Sequence, residues 1–254
     1  MTSTCAACQD GTPLAFDFSM AFQPILDVQM GFVWGYEALV RGTSGESAYS
    51  VLSQVTEDAL YKFDQACRVK AIGLAGQLFP TNEDTRLSIN FMPNAVYEPA
   101  ACIRASLAAA REAGFPHRRI MFEFTENEKL DVQHVKRIIS EYKRLGFITA
   151  LDDFGAGYAG LGLLAEFQPD MIKIDMHLIR DVDQSAAKQA ILAGLASIAR
   201  QLDITLIAEG VETREELACI RACGIKLVQG YLFAKPAFES LPTVASWAVL
   251  DAIG

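Results

Sequence analysis

Apolar and polar positions along the chain fall into two alternating rhythms. Short β-rich runs stand at AFQPIL (21–26), VWGYEALVR (33–41), RLSINF (86–91), RIMFEF (119–124), FITALD (147–152), MIKID (171–175), ITLIAE (204–209) and KLVQG (226–230). Between them lie helical periods. From Asp131 to Gly146, Val132, Val135, Ile138, Ile139, Tyr142 and Leu145 recur at helical spacing, and Gly146 supplies a stop. From Ser185 to Leu202 the same spacing joins Ile191, Leu192, Leu195, Ile198 and Leu202.

Only a few residues around Gln29–Gly31 join the first two runs, too few for a parallel crossover, so these two pair antiparallel. Each later strand is followed by a helix, which implies parallel pairing through right-handed crossovers. About eight strands in this order predict an α/β fold, a TIM-like (β/α)8 barrel opened by an antiparallel hairpin strand. No linker, low-complexity tract or repeat interrupts it. The expected organisation is an arm over residues 1–16, poorly ordered, followed by one domain over 17–250.

At 254 residues the length suits a single barrel. No apolar run is long enough for a membrane span, and MTSTCAACQDGTPL lacks the features of a secretory signal. A cytoplasmic protein that does not engage a membrane is therefore expected. The net charge of −9 argues against a surface for polymeric nucleic acid, but a small anionic nucleotide stays open because bound metal inverts the local field. Cys5 and Cys8 form a lone C-x-x-C with no partner motif, read as structural or incidental. Cys219 and Cys223 share one face of a helix and read as packed thiols.

The candidate chemistry stands at the strand ends. Glu37 lies in the second run, Asn90 closes RLSIN, and Glu123 lies near the end of RIMFEF. Asp152 and Asp153 end FITAL, Lys173 and Asp175 sit in MIKID, Glu209 closes ITLIA, and Gln229 ends KLVQ. Each has a bland reading alone: Asp153 as a helix cap, Asn90 as a turn residue, Lys173 as a lysine reaching for solvent. In a barrel, however, these ends converge on one mouth. Carboxylates that crowded repel or protonate unless cations intervene, and oxygen donors suit Mg²⁺, Mn²⁺ or Ca²⁺ rather than Zn²⁺. His117, His134 and His177 lie off the strand ends and read as surface or packing residues. Adjacent Asp152 and Asp153 fit a two-metal site that activates water for in-line attack on phosphorus, with Lys173 beside that water. Residue types alone leave the substrate open, and a Mg²⁺ barrel enzyme of enolate type stays a rival.

The ordered motifs FQPILD, YEALVR, SINFMP, FEFTE, ALDDFGAGYAGL, PDMIKID, IAEGVET and QGYLFAKP, spread from about Phe18 to Leu241, resemble those of the EAL-domain cyclic di-GMP phosphodiesterases. That resemblance implies hydrolysis of cyclic di-GMP to linear pGpG with two divalent cations, Mg²⁺ or Mn²⁺, and inhibition by Ca²⁺. It implies that Glu37, Asn90, Glu123 and Asp152 hold one metal, with Asp152 bridging to a second completed by Asp153 and Glu209. Lys173 then contacts the attacking water as base or electrostatic activator, so Lys173, Glu37 and Glu209 form the catalytic set. Gln229 and Glu212 order the ligands, Gln23, Leu39 and Arg41 bind the dinucleotide, and Asp175 contacts substrate or supports Lys173. Glu126 anchors the loop after Asp153, which couples metal binding to formation of a homodimer. One departure is that Ala159 and Gly160 replace two serines common in that loop. Losing two hydroxyls softens it, so activity is expected to be retained and to depend on a partner or signal. The competing expectations are a cyclic di-GMP receptor without turnover and a protein-interaction module.

Overall fold

The computed structural model describes residues 14–81, 83–96, 98–125, 131–157 and 160–244. Cys5, Cys8, Glu126 and Ala159 lie outside the described residues, as does most of the arm over 1–16.

The strands are β1 (Ser19–Asp27), β2 (Phe32–Arg41), β3 (Arg86–Asn90), β4 (Ile120–Thr125), β5 (Ile148–Phe154), β6 (Met171–Ile174), β7 (Thr205–Ala208), β8 (Leu227–Val228) and β9 (Ala237–Phe238). The helices are α1 (Ala48–Leu52), α2 (Leu60–Leu78), α3 (Pro99–Cys102), α4 (Arg104–Glu112), α5 (Val132–Arg144), α6 (Gly160–Glu166), α7 (Met176–Ile179), α8 (Ala186–Gln201) and α9 (Arg214–Ala222). Strands β2 through β8 pair in parallel, in sequence order. β1 is antiparallel to both β2 and β8 and so closes the barrel. The expected hairpin is present, its register shifting between Ile25 and Leu26. β9, not anticipated from the pattern, adds a short antiparallel pairing to β1. Its two residues carry too little alternation to announce a strand.

Strand side chains alternate between two faces, which divides the core. Outward-facing Phe22, Leu87, Ile89, Phe122, Phe124, Leu151 and Ile172 join the helices in one large apolar layer. Inward-facing Ile25, Met121, Ala150, Met171, Ile207 and Leu227 make a separate small plug inside the barrel. One strand period further towards the mouth, the inward positions are Gln23, Glu123, Asp152, Lys173, Glu209 and Gln229. An apolar floor thus carries a polar layer, two residues apart on every one of these strands.

The periodic segments form α5 and α8, each within two residues of its expected limits. Asp131 caps α5 by accepting from the backbone N–H groups of Gln133 and His134. Leu14 and Phe16, at the end of the arm, pack on the core, Phe16 against the Phe63 ring of α2. Among the described residues no helix is long and apolar enough to cross a membrane.

Candidate active site

The polar layer is built around one lysine. Lys173, fully buried on β6, places Nζ 2.7 Å from Glu209 Oε1 and 2.9 Å from Glu123 Oε2. The same nitrogen lies 3.3 Å from both Glu37 Oε2 and Asp152 Oδ1. Four carboxylates from β2, β4, β5 and the end of β7 therefore share a single ammonium.

Amides and a hydroxyl hold these carboxylates in place. Asn90 Nδ2 donates to Glu37 Oε1 at 3.0 Å, which leaves the Asn90 carbonyl oxygen for another partner. Gln229 Nε2 donates to Glu37 Oε2 at 2.7 Å and to Gln23 Oε1 at 3.1 Å. Gln23 is in turn held by the Ala234 carbonyl at 3.3 Å. Ser88, two residues before Asn90 on the same face of β3, donates to Glu123.

Asp152 and Asp153 are neighbours in a strand, where successive side chains point to opposite faces. The backbone corrects this. Asp153 adopts a left-handed φ of 55°, and the β5–β6 ladder breaks between Leu151 and Phe154. Aspartate tolerates that region better than most residues. Both carboxylates then reach one site: oxygens of Asp152, Asp153 and Glu209 lie within 4.8 Å of one another, as do those of Glu37, Glu123 and Asp152. Asp152 is common to both groups.

Two glycines let α7 close in beside these ligands. Gly155, at φ 98°, faces Leu178, which a Cβ would meet at 2.5 Å. Gly210, at φ 67°, faces Met176 at 2.4 Å. Both positions need the left-handed backbone that glycine adopts freely, and at Gly210 any side chain would also press on the Met176 Cβ and backbone of α7.

The single cation does not keep all the surrounding carboxylates ionised. Burial raises Glu37, but Lys173, Gln229 and Asn90 outweigh it and leave the group below the ordinary range. Burial pushes Glu123 up to about 8, against Lys173 and with help from the charges of Glu37 and Asp152. Burial likewise drives Glu209 well above its ordinary range and raises Asp152, each against the pull of Lys173. Asp153 is raised to about 6 by burial and by the charges of Asp152 and Asp175. Lys173 is the counterpart: burial opposes its charge, yet the carboxylates hold it well above the usual lysine value.

This donor set fits divalent cations. Asp152 Oδ1 is buried and engaged only by an ion-pair contact with Lys173 Nζ at 3.3 Å. Gln229 Oε1 is a second orphaned oxygen at the same site. All donors are oxygens from carboxylate or amide groups, the chemistry that Mg²⁺ and Mn²⁺ prefer.

A cleft of about 280 Å³ opens above this layer, lined by Gln23, Glu37, Asp153, Asp175, Glu209, Glu212 and Gln229 together with Met176, Gly210, Gly230 and Tyr231. Asp175 and Glu212 thus join the site but are engaged elsewhere. Asp175 caps α7 and lies 2.5 Å from His177 Nδ1. Glu212 makes a two-pronged pair with Arg180, both contacts at 2.6 Å. Leu39 and Asn90 line a second cavity of about 370 Å³ behind β2. Arg41 ends β2 with its guanidinium on the Val40 carbonyl at 2.7 Å.

Ser88, Met176, His177, Arg180 and Tyr231 are site residues beyond those read from sequence. Only Ser88 carried a signal, its period-two relation to Asn90. The ring of His177 is exposed, as a surface residue should be, but it binds Asp175.

A family model for the EAL domain matches residues 12–236. The blue light- and temperature-regulated antirepressor BluF of Escherichia coli K12 is 32% identical over 89% of this chain and 56% of its own length. Cyclic di-GMP phosphodiesterase NbdA of Pseudomonas aeruginosa is 30% identical over 85% of this chain and 28% of its own. The chain spans just over half the length of the former relative and under a third of the latter. Among solved structures, a standalone versatile EAL protein from Vibrio cholerae O395 in its c-di-GMP bound form is 54% identical. It covers 93% of this chain and 99% of its own, with a TM-score of 0.89. The manganese/cy-diGMP complex of Klebsiella pneumoniae BlrP1 at pH 9.0 is 35% identical over 91% of this chain and 57% of its own, with a TM-score of 0.82.

Proposed function

The chain belongs to the EAL domain family, and from that premise we propose that it hydrolyses cyclic di-GMP to linear pGpG. The observation that carries this reading is Asp152, one buried carboxylate common to two oxygen clusters, with an orphaned oxygen facing them. Glu37, Asn90, Glu123 and Asp152 would hold one divalent cation, and Asp152, Asp153 and Glu209 a second. Mg²⁺ or Mn²⁺ supports the reaction and Ca²⁺ inhibits it. When bound, the ions supply charge neutralisation on the phosphodiester and activate water for in-line attack.

The chain's own groups do the rest. Water oxygen bonds to phosphorus as the P–O3′ bond breaks and a proton from the water ends on O3′, which gives linear pGpG with a 5′-phosphate and a free 3′-hydroxyl. Lys173 aligns the carboxylates and places a fixed positive charge where negative charge grows. Gln229 and Asn90 fix the rotamer of Glu37. Gln23 and Asp175, in the cleft lining, would contact the dinucleotide together with Leu39 and Arg41 from the end of β2, with Glu212 also in the cleft lining. The catalytic unit is the barrel over 17–250, in the cytoplasm and as a homodimer, with Glu126 anchoring the loop after Asp153.

One relative's description as an antirepressor favours a second reading, in which the chain binds the dinucleotide and signals through protein contact without turnover. Incubation with cyclic di-GMP and Mg²⁺ or Mn²⁺, beside Glu37→Ala, decides between the two. Release of pGpG by wild type but not by the variant is expected. Tight binding by wild type with no pGpG overturns the enzyme reading and leaves the receptor.

A further inference from the structure

Helix α2 buries a charged pair that the site chemistry does not use. Arg68 is fully buried and Asp64 nearly so. Arg68 Nη2 donates to Asp64 Oδ2 at 2.5 Å, and Arg68 Nη1 reaches the Tyr142 hydroxyl of α5 at 3.4 Å. Buried ion pairs contribute little to stability, because desolvation offsets their attraction; an apolar pair of similar volume holds a helix in place as well. Packing alone therefore does not account for these two charges.

The second oxygen of Asp64 does. Asp64 Oδ1 accepts the backbone N–H of Met92 at 2.9 Å. Met92 stands two residues beyond Asn90, where the chain leaves β3. The intervening Phe91 is tied on the other side: its N–H donates to the Glu123 carbonyl at 2.9 Å, and its ring packs on Phe122, Phe124 and Tyr142. Towards α2, however, Asn90, Phe91 and Met92 border the cavity of about 370 Å³, which Asp64 also lines. Close packing does not set the loop's height on that side, and a directional hydrogen bond from α2 takes its place.

We propose that Asp64, oriented by Arg68, is a positioning residue for Asn90: by gripping the Met92 N–H at the cavity wall, it sets where the Asn90 side chain meets Glu37 and the cation site. This rests on reading Asn90 as a metal ligand and extends that reading to a pair of residues in the helical layer.

The test is Mn²⁺ affinity, measured calorimetrically on the full chain without substrate. Asp64→Leu/Arg68→Met removes the acceptor and leaves no buried charge unpaired. Asp64→Asn/Arg68→Met keeps an oxygen for Met92. The leucine variant is expected to bind Mn²⁺ about tenfold more weakly, the low end for groups that orient metal ligands, while the asparagine variant stays close to wild type. In an Asn90→Ala background the leucine pair adds no further loss, since both changes act on one ligand. Melting curves verify folding, and Asp64→Ala/Arg68→Met replaces the leucine variant if leucine overfills the site. Unchanged Mn²⁺ affinity, equal loss in the asparagine variant, or full additivity with Asn90→Ala overturns the positioning role. Wild type that binds no Mn²⁺ at all overturns the metal reading, and this inference with it.

Discussion

Lys173 Nζ stands 3.3 Å from Asp152 Oδ1, yet that buried oxygen accepts no hydrogen bond. An unsatisfied buried acceptor costs on the order of 1–3 kcal/mol. Asp152 therefore destabilises the protein where it serves a cation best. Asp152→Asn keeps the shape and removes one of four crowded carboxylates. The variant should melt higher than wild type without metal, gain nothing from Mn²⁺, and turn over cyclic di-GMP at least ~100-fold more slowly, as expected when a shared ligand is lost. Thermal melts with and without Mn²⁺ check this, and a Mn²⁺-induced rise equal to wild type's would contradict it.

The raised carboxylates predict a pH dependence with a definite sign. Glu123 titrates at about 8 and Asp153 at about 6, against ordinary values of 4.5 and 3.8. The folded state thus holds protons that the unfolded state has released, and stability falls as pH rises through this window. Metal ligands must be deprotonated, so cation binding strengthens over the same range. Without metal the midpoint should fall between pH 5 and 8, while the increment from saturating Mn²⁺ grows. A pH-independent increment would show that these groups do not hold the ion.

Gln229→Leu tests the amide chain. Leucine matches the volume but cannot donate to Glu37 and Gln23, the contacts made at 2.7 and 3.1 Å. Turnover and Mn²⁺ affinity should each fall by ~10–100-fold, as for residues that orient metal ligands, with far-ultraviolet circular dichroism unchanged. A loss in KM alone would reassign Gln229 to substrate contact.

The barrel was legible because alternation carries two kinds of information at once. In β6, the residues of Met-Ile-Lys-Ile alternate between the barrel interior and the helical layer, and the same pattern places Lys173 one period above the apolar plug. In β3 it places Ser88 beside Asn90. Asp152 and Asp153 were legible as one site from their adjacency, but not the means by which both reach it, because adjacent strand residues diverge unless the backbone turns; the left-handed φ of Asp153 has no signature in an aspartate. Arg180 escaped for a different reason: its partner Glu212 lies 32 residues away, and only the packing of α7 against the loop after β7 brings them together.

Lys173→Met separates two effects that most substitutions at a metal centre confound. The ammonium is the counter-ion of four carboxylates in this structure and repels any dication that approaches them. Methionine keeps the length of the side chain and removes the charge. Without metal, four carboxylates are then left without their ammonium, so the variant should melt lower than wild type and bind additional protons at neutral pH. With Mn²⁺ the sign reverses: affinity should rise, because the ion no longer competes with a fixed positive charge. Turnover should nevertheless fall, by ~100-fold or more, if the ammonium stabilises developing charge on the phosphate as a preorganised donor does. Tighter Mn²⁺ binding with slower hydrolysis is thus the signature of an electrostatic catalyst. Weaker binding with slower hydrolysis would mean that Lys173 only organises the carboxylates.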